Sequence, residues 1–125
     1  MGVVRQTDGP LIERRRLPRL TFRSALSFRN VLKPHETFTG SLCRDISAGG
    51  IRMIVPSFVP KDARLVLLFS LPGRMEPIRT IGRVVWMQEK AISENCECGV
   101  QFVEILPEDQ ETIAGYVERG VTEAA

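Results

Sequence analysis

The sequence predicts a mainly β protein, a six-stranded antiparallel β-barrel with an α-helix packed on it at the C-terminal end. Three observations support this fold class. Short alternating or continuous apolar stretches recur between turn signals. The last segment changes to a helical period. A chain of 125 residues with 43% hydrophobic composition suffices for one domain with one core. Closure is favoured because a barrel leaves no exposed strand edges.

The N-terminal part of the chain is basic and carries no periodic apolar pattern. We expect residues 1–13 to form a flexible leader ahead of a domain that spans residues 14–120. Positions 5–23 contain six arginines and two acidic residues, although the net charge of the whole chain is only +2. Residues 14–20 are expected to form an extended loop, because Pro18 disfavours helix before it and has no amide for a sheet. This local charge indicates one anionic partner, held at one place.

Six strands are expected within residues 21–103. They are centred on residues 21–28, 38–47, 51–55, 64–71, 77–88 and 97–103. In the second strand, Arg44 shares the parity of Leu42 and Ile46, whose side chains are expected on the apolar side. Either Arg44 lies at the rim of the barrel or a bulge shifts the register there.

A helix is expected over residues 107–119, followed by a tail at 121–125. Pro107 suits the first helical position, the acidic residues after it suit the positive helix N-terminus, and Gly120 is expected to end the helix. Its apolar face is expected to contain Ile113, Ala114 and Val117, with Tyr116 at the edge. So short a helix is stable only when packed on the barrel. We favour a structural role over a displaceable partner-binding helix.

The stretch from Asp45 to Gly50 joins the second and third strands. Alternation places Asp45 and Ser47 on one face and Ile46 on the other, so a polar pair can face a ligand while its neighbour is buried. Gly49 and Gly50 permit a positive φ or a close approach to the backbone. Taken alone, the stretch also fits an ordinary turn between strands.

The sequence indicates neither a catalytic site nor a metal site. His35, the single histidine, falls in a predicted turn. Cys96 and Cys98 share one strand face without a second pair of ligands, and we interpret them as small core or interface residues. For Cys43, which has the parity of Asp45, an accessible thiol and a buried one both remain open. The odd cysteine count and the lack of a signal peptide or membrane span predict a cytoplasmic protein.

The remaining chemistry is that of recognition, and it fits a guanine nucleotide. The planar fork of arginine pairs with phosphate oxygens and with the O6/N7 edge of guanine. A carboxylate such as Asp45 accepts the N–H donors on the other edge, where an arginine cannot bind. Arginines together with one Asp and one Ser would therefore read both edges of the base and its phosphate.

The sequence resembles the PilZ domain family, bacterial receptors for the second messenger cyclic di-GMP. The signature of that family is RxxxR followed, after a few tens of residues, by (D/N)xSxxG. Arg15 to Arg19 matches the first part, and Asp45, Ser47 and Gly50 occupy the defining positions of the second. The resemblance implies a six-stranded antiparallel barrel with a C-terminal helix, which is also the fold that the strand and helix patterns predict.

The resemblance also implies roles for the signature residues. Arg15 and Arg19 would grip phosphates and guanine acceptor edges from a mobile loop. Asp45 and Ser47 would hydrogen-bond the guanine, and Gly50 would leave room for the purine. A second group of residues is expected to support the site, namely Arg14, Arg16, Gly49 and Gly99.

The predicted function is that of a receptor that is not an enzyme. Cyclic di-GMP would be its ligand, no cofactor is expected, and the signal would pass to an unidentified protein through an arginine loop that becomes ordered on binding. We expect a monomer or a ligand-dependent dimer that does not bind membranes. One alternative is a PilZ-like adaptor that binds protein without nucleotide. A second, less favoured because no aromatic residue lies among the N-terminal arginines, is an RNA or single-stranded DNA-binding barrel.

Overall fold

The computed structural model describes residues 4–5, 19–89 and 95–124 of the chain. Its elements are β1 (Val4–Arg5), β2 (Leu20–Asn30), β3 (Thr39–Ser47), β4 (Gly50–Val55), β5 (Arg64–Phe69), β6 (Ile78–Glu89), β7 (Cys96–Ile105) and α1 (Pro107–Ala124). Most of the expected leader and arginine loop lies outside the described residues. Val4–Arg5 departs from the expectation of a flexible leader, because it pairs with β7. The paired part of β7 lies after Gln101, the last residue of β7 that pairs with β4.

The strands form a closed antiparallel sheet. Their order is β1-β7-β4-β3-β2-β5-β6, and a further pairing of β6 with β7 closes the ring. The predicted six-stranded barrel is thereby confirmed in β2 to β7. In this ring β4 and β5 lie on opposite sides. We call the outer surface of β3, β4 and β7, which carries Asp45 and Glu97, the front face, and that of β2, β5 and β6, which carries Arg29 and Arg79, the rear face.

The interior is filled by alternate residues of every barrel strand, as the predicted alternation requires. The most buried of these, one from each of β2 to β7, are Leu26, Ile46, Met53, Leu67, Val84 and Phe102. Phe102 also stacks on Phe69, with 6.3 Å between ring centroids. Full burial of a side chain of this size contributes roughly 1.5–3 kcal/mol, so the common core accounts for a large share of the stability of the barrel.

Helix α1 packs on this core through Ile113 and Val117, which are fully buried, and Tyr116 is partly buried at its edge. Ala114 was predicted on the same face, but it is exposed, because successive residues are rotated by about 100° around a helix whereas residues four apart share one face. No helix in the described ranges is long and apolar enough to cross a membrane.

The prediction that Gly120 ends the helix is wrong, since α1 continues to Ala124. Gly120 instead gives room to the Leu20 side chain. A Cβ at this position would lie 2.5 Å from Leu20 Cδ2, so a larger residue would have to displace that side chain. The end of α1 therefore contacts the residue that directly follows Arg19.

Candidate functional site

A β-bulge at Arg44 decides which way the signature residues of β3 point. Cys43 pairs with Met53 of β4, but the next registered pair is Asp45 with Arg52, so Arg44 is the extra residue. Cys43 faces the core, and in a regular strand Asp45 would face it too. The bulge reverses the alternation, as a one-residue slip does, and brings Asp45 to the front face.

The bulge also corrects the predicted parity of β3. Leu42 was grouped with Ile46 on the apolar side, but the side chain of Leu42 is 56% exposed while Ile46 is fully buried. Before the bulge the odd-numbered residues face inward, and after it the even-numbered ones do. Of the two explanations offered for Arg44, the structure supports the bulge.

Ser47 and the two residues after it form a turn that is held from several sides. Ser47 Oγ accepts a hydrogen bond from the Gly49 amide at 3.2 Å and lies 3.4 Å from the carbonyl oxygen of Gly50. The Gly49 carbonyl accepts from the Phe102 amide at 2.9 Å. From helix α1, Gln110 Nε2 donates to the carbonyl of Ala48 at 3.1 Å. The position of Ser47 is thus fixed by both β7 and α1.

Gly50 has a structural reason to be glycine. It pairs with Gln101 of β7, and a Cβ on it would lie 2.2 Å from the Val100 carbonyl oxygen. Because this neighbour is backbone, it cannot move aside without breaking the pairing of β4 with β7. The close contact of two strands therefore accounts for the glycine without reference to a purine.

Arg19 lies one residue before β2 and reaches across to the signature residues of β3. Its Nε donates to Asp45 Oδ1 at 2.8 Å, and its Nη2 lies 2.6 Å from the same oxygen. Its Nη1 donates to Ser47 Oγ at 3.2 Å. The structure thus brings together three residues that the sequence predicted to share a site. The other predicted arginines, Arg14, Arg15 and Arg16, lie outside the described residues.

Sequence reasoning missed an ion-pair network beside this contact. Arg52 Nη2 lies 2.6 Å from Asp45 Oδ2, and Arg52 Nε lies 3.6 Å from Glu97 Oε1. The other oxygen of Glu97 accepts a hydrogen bond from Arg44 Nη1 at 2.8 Å. The sequence did contain one signal for the pair of Asp45 with Arg52. If a two-residue turn joins Ser47 to Gly50, then position 45 lies directly opposite position 52 on the neighbouring strand, and position 52 is an arginine.

The two carboxylates of this network are buried, whereas the arginines are not. The side chains of Asp45 and Glu97 are 10% and 5% exposed, but those of Arg19, Arg44 and Arg52 are 37–44% exposed. The front face therefore presents guanidinium groups to solvent above buried negative charges. An anionic ligand meets cations first and can reach a carboxylate only by moving one of them.

Gly99 continues the row that contains Asp45 and Arg52. Arg52 pairs with Gly99 of β7, and Gly99 pairs with Trp86 of β6. A Cβ on Gly99 would lie 2.1 Å from the indole Nε1, so the glycine allows the Trp86 ring to lie across the strand. Trp86 is 39% exposed, which leaves a partly accessible aromatic ring on the row that holds Asp45.

The three cysteines are buried, and the pKa values of Cys43 and Cys98 are raised. Burial, with a smaller contribution from the charge of Asp45, raises the pKa of Cys43 to about 12. Burial, with contributions from Cys96 and Glu97, likewise raises the pKa of Cys98 to about 12. Of the two interpretations of Cys43, the buried thiol is correct, and the interpretation of Cys96 and Cys98 as core residues is confirmed. Among the described residues, no cluster of three or more His, Cys, Asp or Glu could hold a metal ion.

Comparison with solved structures gives several similar folds. The structure of Bacillus subtilis Inhibitor of motility (MotI/DgrA) matches with a TM-score of 0.74 and 21% identity, over 86% of this chain and 51% of that chain. YcgR in complex with c-di-GMP from Escherichia coli matches with a TM-score of 0.70 and 14% identity, over 89% and 47%. The K. pneumonia MrkH-c-di-GMP complex matches with 0.60 and 18%, over 87% and 53%. This chain thus spans about half the length of each. A search of curated proteins found no match.

A family model described as PilZ domain matches residues 13–119. The match includes all six strands of the barrel, the contact of Arg19 with Asp45 and Ser47, and most of helix α1. The same segment carries both halves of the predicted RxxxR and DxSxxG signature. The agreement of fold, signature and family match leads to one conclusion: this chain belongs to the PilZ domain family.

Proposed function

We propose that this chain is a cyclic di-GMP receptor without enzymatic activity, which binds its ligand between the N-terminal arginine segment and the front face of the barrel. The observation that carries the proposal is the contact of Arg19 with Asp45 and Ser47, at 2.6–3.2 Å. It joins the two parts of the signature, which are separated by residues 20–44. YcgR and MrkH, which share the fold, were solved with c-di-GMP.

In this proposal the ligand replaces Arg19 at Asp45. The donors on the Watson–Crick edge of guanine approach Asp45 Oδ1 and Ser47 Oγ, the same atoms that now bind the guanidinium. The displaced Arg19, together with Arg15, binds the phosphates and the O6/N7 edge. Exchange of one charge-assisted contact for another keeps the carboxylate satisfied throughout.

The exchange would couple binding to the N-terminal segment. Arg19 is followed directly by Leu20, which contacts Gly120 of α1, so movement of Arg19 affects both the leader and the helix. We propose that residues 5–20 become ordered around the ligand and offer a new surface to a partner protein in the cytoplasm. The process under control would be motility, biofilm formation or exopolysaccharide synthesis. MotI, which shares the fold, is named as an inhibitor of motility.

Titration calorimetry tests the binding proposal. We expect micromolar or tighter binding of cyclic di-GMP, and no comparable binding of GTP or a short RNA. Arg19→Ala and Asp45→Ala should each weaken binding roughly tenfold or more, because a charge-assisted hydrogen bond contributes about 1.5–3 kcal/mol. Asp62→Asn removes the partner of Arg83 in an Asp–Arg pair on the rear side and should leave the affinity unchanged. Tight binding of RNA instead would favour the nucleic-acid alternative.

Hydrogen exchange tests the ordering of the N-terminal segment. Amides of residues 5–20 should exchange more slowly when cyclic di-GMP is saturating. Binding without such protection would retain the receptor and reject the ordering step.

One observation favours the nucleotide-independent adaptor as a second candidate. The guanidinium of Arg19 finds hydrogen-bond acceptors within the chain itself, on Asp45 and Ser47, so the contact can also serve a purely structural purpose. Absence of cyclic di-GMP binding in a chain that is folded by circular dichroism would support this alternative.

A further inference from the structure

The carboxylate of Asp45 is shared by two arginines that use different oxygens. Arg19 contacts Oδ1 through Nε and Nη2, whereas Arg52 Nη2 lies 2.6 Å from Oδ2. The side chain of Asp45 is only 10% exposed, so water cannot fully solvate its charge when one cation leaves. A buried carboxylate without a cation would be strongly destabilising.

The two arginines are anchored differently. Arg19 precedes β2, and its second contact is the hydroxyl of Ser47. Arg52 lies within β4, in direct register with Asp45 on one side and Gly99 on the other. Because β4 pairs with β3 on one side and with β7 on the other, the backbone of Arg52 cannot move without breaking hydrogen bonds to both neighbouring strands. Arg52 is therefore the fixed cation of the pair.

Glu97 lies beside Arg52 in a longer ion pair. Its side chain is 5% exposed, Oε1 lies 3.6 Å from Arg52 Nε, and Oε2 accepts from Arg44 Nη1 at 2.8 Å. Arg44 is available for this contact because it is the bulged residue of β3. With Arg19 in place the network has three cations and two carboxylates, and without Arg19 the charges balance.

We infer that Arg52 is a positioning residue for the ligand, which holds Asp45 in place when Arg19 moves away, and that Glu97 and Arg44 fix Arg52 in that role. The inference rests on the proposed function. It identifies Arg52 as the cation that stays paired with Asp45 during the exchange, so that no buried charge is left unpaired. Arg52 acts through Asp45 and not by contact with the ligand. It should therefore control how well the site distinguishes guanine, whose donors need an oriented carboxylate.

A double-mutant cycle tests this mechanism. Arg52→Gln should weaken cyclic di-GMP binding tenfold or more in titration calorimetry. In an Asp45→Asn background the same substitution should change affinity by less than about twofold, because the residue through which Arg52 acts is already altered. Arg79→Gln, an exposed arginine of the rear face, is the control and should have no effect. Equal losses in both backgrounds would show that Arg52 touches the ligand directly and would overturn the inference.

Two further variants separate positioning from folding. Arg52→Lys keeps the charge and should recover part of the affinity lost in Arg52→Gln, which a loss of packing alone would not explain. Glu97→Gln should weaken binding in the wild-type background but not in the Asp45→Asn background. Discrimination between cyclic di-GMP and cyclic di-AMP, measured by competition, should fall in Arg52→Gln.

The outcomes distinguish the two proposals. A native chain that does not bind cyclic di-GMP rejects the proposed function and this inference with it. A native chain that binds, with an Arg52→Gln variant that is folded and binds equally well, rejects only the role of Arg52.

Discussion

The front and rear faces of the barrel both carry arginines, but they hold them by different interactions. On the front face, Arg19, Arg44 and Arg52 each contact Asp45 or Glu97. On the rear face, Arg29 and Arg79 lie 4.6 and 6.0 Å from the centre of the Phe38 ring. Within residues 19–89 and 95–124, Arg29 and Arg79 form no ion pair with a carboxylate, although Arg83 on the same face pairs with Asp62.

The two kinds of contact differ in the ligand groups that they can distinguish. Arginines over an aromatic ring attract any anion but offer no acceptor to it. The front face adds buried carboxylates, which can read hydrogen-bond donors once an arginine moves aside. In the proposed exchange such a carboxylate releases one partner and accepts another, whereas an arginine held over an aromatic ring has no carboxylate to release. The two faces should therefore respond differently to matched substitutions.

The largest difference is expected between two glycines, one at the tight contact of β4 with β7 and one at the open start of β3. In Gly50→Ala the new Cβ would lie 2.2 Å from a backbone oxygen of Val100, so the pairing of β4 with β7 must shift. We expect a loss of roughly 3 kcal/mol or more in the free energy of unfolding, measured in urea. Gly40 lies beside Ser27 of β2, and a Cβ there would meet nothing within 4 Å. Gly40→Ala should be close to neutral, and a similar loss in both variants would contradict the tight front contact.

The next largest effect is expected at the buried carboxylate of the front face. Glu97→Gln leaves Arg44 and Arg52 with a neutral partner in place of a charged one, and should lower the free energy of unfolding by about 2 kcal/mol. The matched change is Asp62→Asn, since Asp62 pairs with Arg83 but is 63% exposed. An exposed pair contributes less than about 1 kcal/mol, so this variant should unfold almost like the native chain. Equal losses would mean that burial does not distinguish the two pairs.

The pH dependence of stability gives a smaller effect that also belongs to the front side, where Cys98 lies beside Glu97. The pKa of Cys98 is raised from 9.0 to about 12, so its stabilising contribution is complete below pH 9 and is lost as pH rises through about 12. Between pH 8 and pH 10 the free energy of unfolding should fall by about 1 kcal/mol on account of this thiol. Cys98→Ala should reduce that fall, in urea titrations repeated at each pH, and an unchanged slope would contradict the assignment.

Much of the fold follows from local pattern, and the departures have identifiable causes. The six barrel strands were predictable because alternation reports which residues face a common core. Arg44 was recognised as the residue that breaks the pattern, but its effect on Leu42 required the register with β4. The role of Gly120 was missed because a close contact with Leu20, a hundred positions away, cannot be read from neighbours in sequence.

The candidate site was predictable in part for a similar reason. The resemblance to a known signature placed Arg19, Asp45 and Ser47 in one site, because a signature links two segments that are distant in sequence. Glu97 and Arg52 carry no such signature. Their contact depends on the pairing of β4 with β7, which forms only when the barrel closes, so local pattern could not identify it.

The smallest effect is expected at Phe38, whose ring contacts two arginines of the rear face. Phe38→Leu removes the ring over which Arg29 lies and should lower the free energy of unfolding by about 0.5–1 kcal/mol, the contribution of an exposed cation–π contact. Phe58→Leu is the matched control, since Phe58 is 59% exposed and has no arginine over its ring among the described residues. Neither change should alter cyclic di-GMP affinity, because Phe38 and Phe58 take no part in the contact of Arg19 with Asp45 and Ser47. A tenfold loss of affinity in Phe38→Leu, with the fold intact, would place ligand recognition on the rear arginines and reverse the contrast between the two faces.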